Sequence, residues 1–228
     1  MTRRFCHCVV TGLSMGFLFL AASQPVLATI VFDDHFGGNS GGVPDGWEGE
    51  GTIIEAGTTV TLHADAGMAT LSTVDPNAGT ATIWVEVAGT DLKAMVGLLD
   101  SLDWSNRFLV KIRAEDGGIE VRASNPEQGD EEYVAGYVVG YGGGAIRLMV
   151  VLEPTTFSVS TDAPPFSSGP IEYGAVFTSF TRSDLGSVAR LMMDIQLEGH
   201  PSGFARTRRI SSAGSSTRGM GCFRITWR

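Results

Sequence analysis

Two tryptophans and a group of cations are the residues in this sequence whose types and surroundings point to recognition chemistry. Trp84 stands between Thr82 and Glu86 on the polar side of an alternating stretch, and Trp104 lies in Asp103-Trp-Ser-Asn-Arg107, a polar connection between apolar runs. An indole offers an apolar face on which a sugar ring can stack, while polar neighbours such as Asn106 meet the ring's hydroxyls. The plainer alternative is packing: Trp84 under a loop that crosses its sheet, Trp104 as a plug at the end of a sandwich.

Lys111, Arg113 and Arg122 lie on two strands that flank Glu115-Asp116-Gly117-Gly118, a hairpin signal. With Asp116-Gly117 at the centre of a two-residue turn, Arg113 faces Glu120 and Lys111 faces Arg122. The first pair attracts and the second repels. Three cations on one face of an acidic protein would suit an anionic ligand such as an acidic polysaccharide. The alternative is a surface network in which Glu120 and other carboxylates neutralise them.

Other chemistries find little support. His35, His63 and His200 occur in unrelated contexts, and no Gly-rich loop opens a helix to cradle phosphate. Asp130-Glu131-Glu132, beside Gly129, reads as a solvated loop whose side chains split between two faces. Nucleic-acid binding is disfavoured by charge.

The elements that must position these residues follow a period of two. The chain has 228 residues, 43% hydrophobic and 18% charged, with 30 Gly and 9 Pro, enough apolar material for one soluble domain rather than a disordered chain. In Thr80 to Val87 the residues Ala81, Ile83, Val85 and Val87 fall on one face, which is predicted to be core. Phe108, Val110 and Ile112 repeat the pattern, as do Ile119, Val121 and Ala123. Further strands are expected at Thr29 to Asp33, Thr52 to Glu55, Thr58 to Ala64, Met95 to Leu99, Ala145 to Leu152 and Thr156 to Thr161, bounded by turn residues. Ala145 to Leu152, apolar on both faces, is expected to be a central strand covered on each side. One short helix is expected at Ser183 to Leu191, capped by Ser183 or Asp184. The reading is an all-β, two-sheet antiparallel β-sandwich.

The ends differ from this body. Arg3 and Arg4, an apolar run from Val9 to Ala22 and the small residues of Val26-Leu27-Ala28 read as a secretory signal peptide, residues 1–28, cleaved after Ala28. Cleavage would remove Cys6 and Cys8 and leave Cys222, so the domain would be held by its core rather than by disulfides. Residues 199–228 hold six Arg and no Asp, Glu or Lys, and read as a basic irregular tail outside the sandwich, either an arm that binds polyanions or a non-native terminus. The domain between, 29–198, carries 25 acidic and 8 basic residues, a net charge of −17 against −9 for the whole chain. Such acidity keeps an extracellular domain soluble and opposes polyanion binding except at a local cationic patch.

Ile30-Val-Phe-Asp-Asp-His-Phe36, Val43-Pro-Asp-Gly-Trp47, Gly97-Leu-Leu-Asp100, Phe108-Leu-Val-Lys-Ile112, Gly118-Ile-Glu-Val121 and Phe157-Ser-Val-Ser-Thr-Asp162 carry a resemblance. The strand rhythm resembles that of secreted bacterial proteins of the concanavalin A-like (laminin G-like, jelly-roll) class, including those with PEP-CTERM sorting tails. The resemblance implies a jelly roll of the lectin and glucanase type with a concave face used in many relatives for glycan contact. It also suggests a structural calcium, to which Asp33, Asp34 and Asp194 would contribute if the first and last strands pair; no other cofactor is expected. The chain departs from the class twice: it lacks the Glu-x-Asp-x-(x)-Glu strand motif of the hydrolases of this fold, and it lacks the Pro-Glu-Pro motif, apolar span and basic end of a sorting tail.

These readings converge on a secreted, non-catalytic module expected to bind glycans or another extracellular surface through Trp104, Asn106 and Trp84, with Lys111, Arg113 and Arg122 as a candidate anionic subsite. The rivals are a structural or adhesive surface protein without a small-ligand site, and a glycoside hydrolase with dispersed carboxylates.

Overall fold

Alternation at a period of two forces each strand to bury one face, and two sheets facing each other are the economical way to do so. The computed structural model describes residues 32–34, 36, 41–56, 59–63, 66–88, 93–113, 116–125, 128–141, 144–195 and 221–227. The signal-peptide reading and most of the basic tail lie outside them.

The strands are β1 (Phe32–Asp34), β2 (Trp47–Glu50), β3 (Ile53–Ala56), β4 (Thr59–Leu62), β5 (Gly67–Thr70), β6 (Ala81–Ala88), β7 (Lys93–Asp100), β8 (Arg107–Arg113), β9 (Gly118–Asn125) and β10 (Gly129–Tyr137). They continue with β11 (Ile146–Leu152), β12 (Thr156–Thr161), β13 (Phe166–Ser167), β14 (Ile171–Glu172), β15 (Ala189–Ile195) and β16 (Gly221–Trp227). One sheet runs β13-β12-β11-β6-β16-β4-β3, with β1 on β16 and β14 on β12; the other runs β10-β9-β8-β7-β15-β5-β2. All strand pairs are antiparallel.

The core lies between the sheets. Ala81, Ile83, Val85 and Val87 of β6 are buried, as are Phe108, Val110 and Ile112 of β8 and Ile119, Val121 and Ala123 of β9, so the alternation named the inner face of each. At one end a short helix, α1 (Tyr173–Val176), and the segment after it close the core with aromatic rings. Phe108 meets Phe157 at 5.1 Å between centroids and Phe180 at 5.9 Å, and Phe157 stacks on Phe177 at 5.9 Å. Edge strand β10 resists further pairing through its Asp130-Glu131-Glu132 charges and a register shift between Val134 and Gly136.

Several expectations change. The helix expected at Ser183–Leu191 is a single 3-10 turn, Arg182–Leu185, in which Asp184 accepts from the Thr181 backbone N–H rather than starting the turn. Gly186, at φ +65°, ends it, and Leu191 and Met193 then alternate with Arg190 and Met192 as strand β15. Asp130-Glu131-Glu132 lies on β10 and not in a loop. Strand β11 is central, but its outward face is not covered: Arg147 is exposed and Met149 and Val151 are half-buried. Gly221–Trp227, set apart with the basic tail, pairs with β6, β4 and β1 inside the larger sheet. The physical reason is the same alternation, since Phe223, Ile225 and Trp227 recur every second residue and β6 needs a partner on its second edge.

Gly97 marks the tightest approach in the smaller sheet. A Cβ built there would stand 1.9 Å from the Phe108 carbonyl oxygen and 2.9 Å from Leu109 Cα. Backbone cannot yield as a flexible side chain does, so Gly97→Ala is expected to cost about 1–3 kcal/mol, the range of overpacking. Urea unfolding would show this as a lower midpoint at constant slope; an unchanged midpoint would refute the close approach.

Candidate functional site

The face of the smaller sheet turned away from the core carries most of the polar chemistry. Register aligns one row as Glu132, Arg122, Leu109, Gly97, Met192, Ala69 and Glu48 across all seven strands. The next row reads Val134, Glu120, Lys111, Met95, Asp194, Gly67 and Glu50. Met95, Leu99, Leu109 and Met192 form a second small apolar cluster there, each at most 2% exposed.

The cations of this face are matched by carboxylates. Lys111 pairs with Glu120 at 4.0 Å, both side chains buried. Arg122 holds Glu120 at 2.5 Å and Glu132 at 2.6 Å, Arg113 holds Asp116 at 2.9 Å, and Arg107 holds Asp130 at 3.0 Å. Arg190 reaches Glu48 and the Thr70 carbonyl. The expected register is therefore corrected: Lys111 faces Glu120, Leu109 faces Arg122, and Arg113 faces Gly118. The cause is a longer connection. Asp116 Oδ1 accepts from the Gly118 N–H at 2.7 Å while Asp116 also takes Arg113, so four residues separate the strands instead of two. A two-residue slip keeps every side chain on its face but changes its partner, so the repulsive pair becomes an attractive one.

The carboxylates respond to this environment. Burial alone would raise Glu120, but the Arg122 hydrogen bond and the charges of Lys111, Arg122 and Arg113 outweigh it and hold the carboxyl below its ordinary range. Asp130 is held low in the same way: burial opposes, while the Ser124 hydroxyl and Arg107 prevail. Glu131 points the other way from its neighbours and ties β10 to the segment after α1. It accepts from the Thr178 N–H at 2.9 Å and hydroxyl, and from the Ser179 N–H at 3.1 Å and hydroxyl at 2.8 Å. Led by the Thr178 hydroxyl, these bonds lower it to about 2.

Trp104 sits in the connection between β7 and β8, where its ring lies 5.5 Å from Arg190 Cζ and is 37% exposed. The connection is built by local bonds: Asp103 Oδ1 accepts from the Ser105 N–H at 3.1 Å, the Asp103 carbonyl from the Asn106 N–H at 2.9 Å, and the Asn106 carbonyl from the Asp100 N–H at 2.9 Å. Asn106 Oδ1 is buried beside it without a hydrogen-bond partner. Leu102, Leu71 and Val188 are exposed around the same end of the sheet, which Ser101 N–H to Val188 O at 2.8 Å holds together. Trp84 is elsewhere. It projects from β6 on the outward side of the other sheet, half-buried and in register with Met149, so the two tryptophans cannot share one groove.

The proposed metal ligands are also separated. Asp33 and Asp34 lie on β1, which pairs with β16 in the larger sheet, whereas Asp194 lies fully buried on β15 in the smaller one. The first strand pairs with β16 and not with the strand that carries Asp194, and among the described residues no three His, Cys, Asp or Glu gather to hold an ion. Arg190 and the exposed apolar residues around Trp104 were not singled out from sequence, and Glu131 was read only as part of a solvated acidic run. For Arg190 the signal existed, an alternation that a helical reading obscured.

No family model and no curated protein matches the chain. Among solved structures it is similar to an endo-1,3-beta-glucanase from Streptomyces sioyaensis, at 11% identity and TM-score 0.58, over 91% of this chain and 99% of that one. It is also similar to the CBM2 module of an evolved Dit from Lactobacillus casei BL23 phage J-1, at 8% identity and TM-score 0.54, over 87% and 94%. The fold is a concanavalin A-like jelly roll. A further match, GH43B of the Bacteroides ovatus xyloglucan locus, has 15% identity and TM-score 0.49; 90% of the jelly-roll chain aligns, spanning 41% of that protein's length.

Glu131 gives a pH test. A carboxyl lowered on folding stabilises the fold above its ordinary value of 4.5, and that contribution is lost as pH falls toward about 2. Glu131→Gln is expected to lower the melting temperature by a few degrees at pH 7, and the difference from wild type should shrink between pH 4.5 and 2. A difference that stays constant to pH 2 would show that charge plays no part.

Proposed function

We propose that this jelly roll is a non-catalytic glycan-binding module that acts outside the cell, with Trp104 as its aromatic platform. The observation that carries the reading is Trp104 itself: a partly exposed indole braced by Arg190, at an end of the sheet where Leu102 and Leu71 are exposed and Asn106 Oδ1 is buried without a partner. A braced aromatic loses little freedom on stacking against a sugar, and an amide beside it can fix the sugar's orientation. The signal-peptide pattern and the acidity of the domain support an extracellular location. The centre of the outward sheet face is less suited to contact, because Met95, Leu99, Leu109 and Met192 are buried there.

A binding role is favoured over hydrolysis by the charges. A general acid needs a carboxyl raised toward neutrality, whereas Glu120, Asp130 and Glu131 are all lowered. One observation keeps the hydrolase as a second reading. Asp194 and Glu50 flank Gly67 in one row, two strand spacings of about 4.8 Å apart, and carboxylates of an inverting pair stand roughly 6.5–9.5 Å from each other.

A glycan array with the wild-type chain tests the first reading. Binding of at least one glycan is expected, reduced about tenfold or more in Trp104→Ala and unchanged in Trp84→Ala. Equal loss in both variants would remove Trp104 from the site, and no binding at all would favour the adhesive alternative. Release of reducing ends from a β-glucan, lost in Asp194→Asn, would establish the hydrolase instead.

A further inference from the structure

Arg182 is a cation sealed at one end of the sandwich. It opens the 3-10 turn, is 3% exposed, and donates through one Nη to the carbonyl of Gly79. Its Nε and its other Nη meet no acceptor, and neither does the hydroxyl of Tyr173, which is 4% exposed. The two groups lie in each other's field. Burial pushes the Tyr173 phenol far above its ordinary range and pulls the Arg182 guanidinium down.

The nearby carboxylates do not answer these donors. Asp75 and Glu153 act on Arg182 through their charge, but both residues are exposed. Asp75 accepts from the Asn77 N–H at 2.8 Å, and Glu153 from the Thr156 hydroxyl at 2.9 Å. A guanidinium is donor-only and stays charged, so burial leaves it in need of acceptors and of negative charge. An oxyanion meets both needs, because it carries negative charge and more than one acceptor oxygen. Gly79, whose carbonyl anchors Arg182, is exposed, so the unmet donors lie close beneath the surface.

We propose that Arg182 and Tyr173 form a binding site for an oxyanion with at least two acceptor oxygens. The carboxylate or sulfate of an acidic saccharide is its source, and in naming that source alone the inference rests on the glycan reading above. Arg182 supplies the countercharge and an unmet N–H, and the Tyr173 hydroxyl supplies a further donor. This differs from the cations of the sheet face, where Arg107, Lys111, Arg113, Arg122 and Arg190 already hold carboxylates of the protein.

The test is a titration of the full chain with sodium sulfate, sodium acetate and sodium glucuronate, against glucose and sodium chloride at matched ionic strength. Melting temperature and the tyrosine ring NMR signals are followed. The three oxyanions should raise the melting temperature saturably, as ligands of the folded state alone do, while glucose and chloride should not. Tyr173→Phe keeps the ring in the aromatic cluster and should weaken the anion about tenfold, one hydrogen bond's worth. Arg182→Lys should abolish saturation; where that variant fails to fold, Tyr173→Phe alone decides. No saturable response to any oxyanion, or an equal response in Tyr173→Phe, would overturn the proposal and assign water to the unmet donors. A response to sulfate and acetate but not to glucuronate would keep the anion site and overturn the acidic saccharide as its source. The Trp104 reading would stand apart from that result, because it is measured on Trp104→Ala.

Discussion

The apolar layer shared by the two sheets is the interaction on which the rest of this protein depends. Ile83, Val85 and Val87 from one sheet join Val96, Phe108, Val110 and Val121 from the other in a single buried cluster. Every outward-facing group is positioned as a consequence, because a strand that commits one face to the core has no choice about the other. The aromatic rings of Phe108, Phe157, Tyr173, Phe177 and Phe180 extend that layer to one end of the sandwich. Arg182 is buried at the same end.

Charge on the smaller sheet serves the sheet before it serves a ligand. Arg122 bridges Glu120 and Glu132, and Arg107 bridges to Asp130, so neighbouring strands β8, β9 and β10 are joined by side chains as well as by backbone. Such pairs add little stability where exposed, but Lys111 and Glu120 are buried, and removing one partner there would strand the other. The same pairing keeps the carboxylates ionised, which is unhelpful for acid catalysis and compatible with a recognition surface. The fold, shared with a glucanase and with a carbohydrate-binding module, is compatible with either chemistry.

Much of the fold was legible because burial at a period of two leaves a trace in the chain. Strands β6, β8 and β9 were found with the correct inner faces, β12 as a strand, and β11 with its central place. Shorter or more polar strands left weaker traces: β2 is Trp-Glu-Gly-Glu, and β10 carries three consecutive acids. The segment Ala189–Ile195 combined helix-compatible Leu and Met with a preceding Ser-Asp pair, and local propensity favoured the wrong element there. The candidate site was less legible still. Trp104 was visible as a loop aromatic, but its brace, Arg190, comes from a strand 86 residues further along the chain.

What the sequence determined by itself was which side chains share a face, since alternation along a strand is local and survives any slip by two residues. Only the tertiary structure decided which partner each of those side chains meets. Lys111 changed from opposing Arg122 to pairing with Glu120 through a two-residue change in one connection, with no side chain leaving its face. Likewise, Trp84 and Trp104 read alike as sugar platforms, and Asp33, Asp34 and Asp194 as one ligand set, until sheet membership placed them apart. Membership and register arise from contacts distant in sequence, and those are set by how two sheets close upon one core.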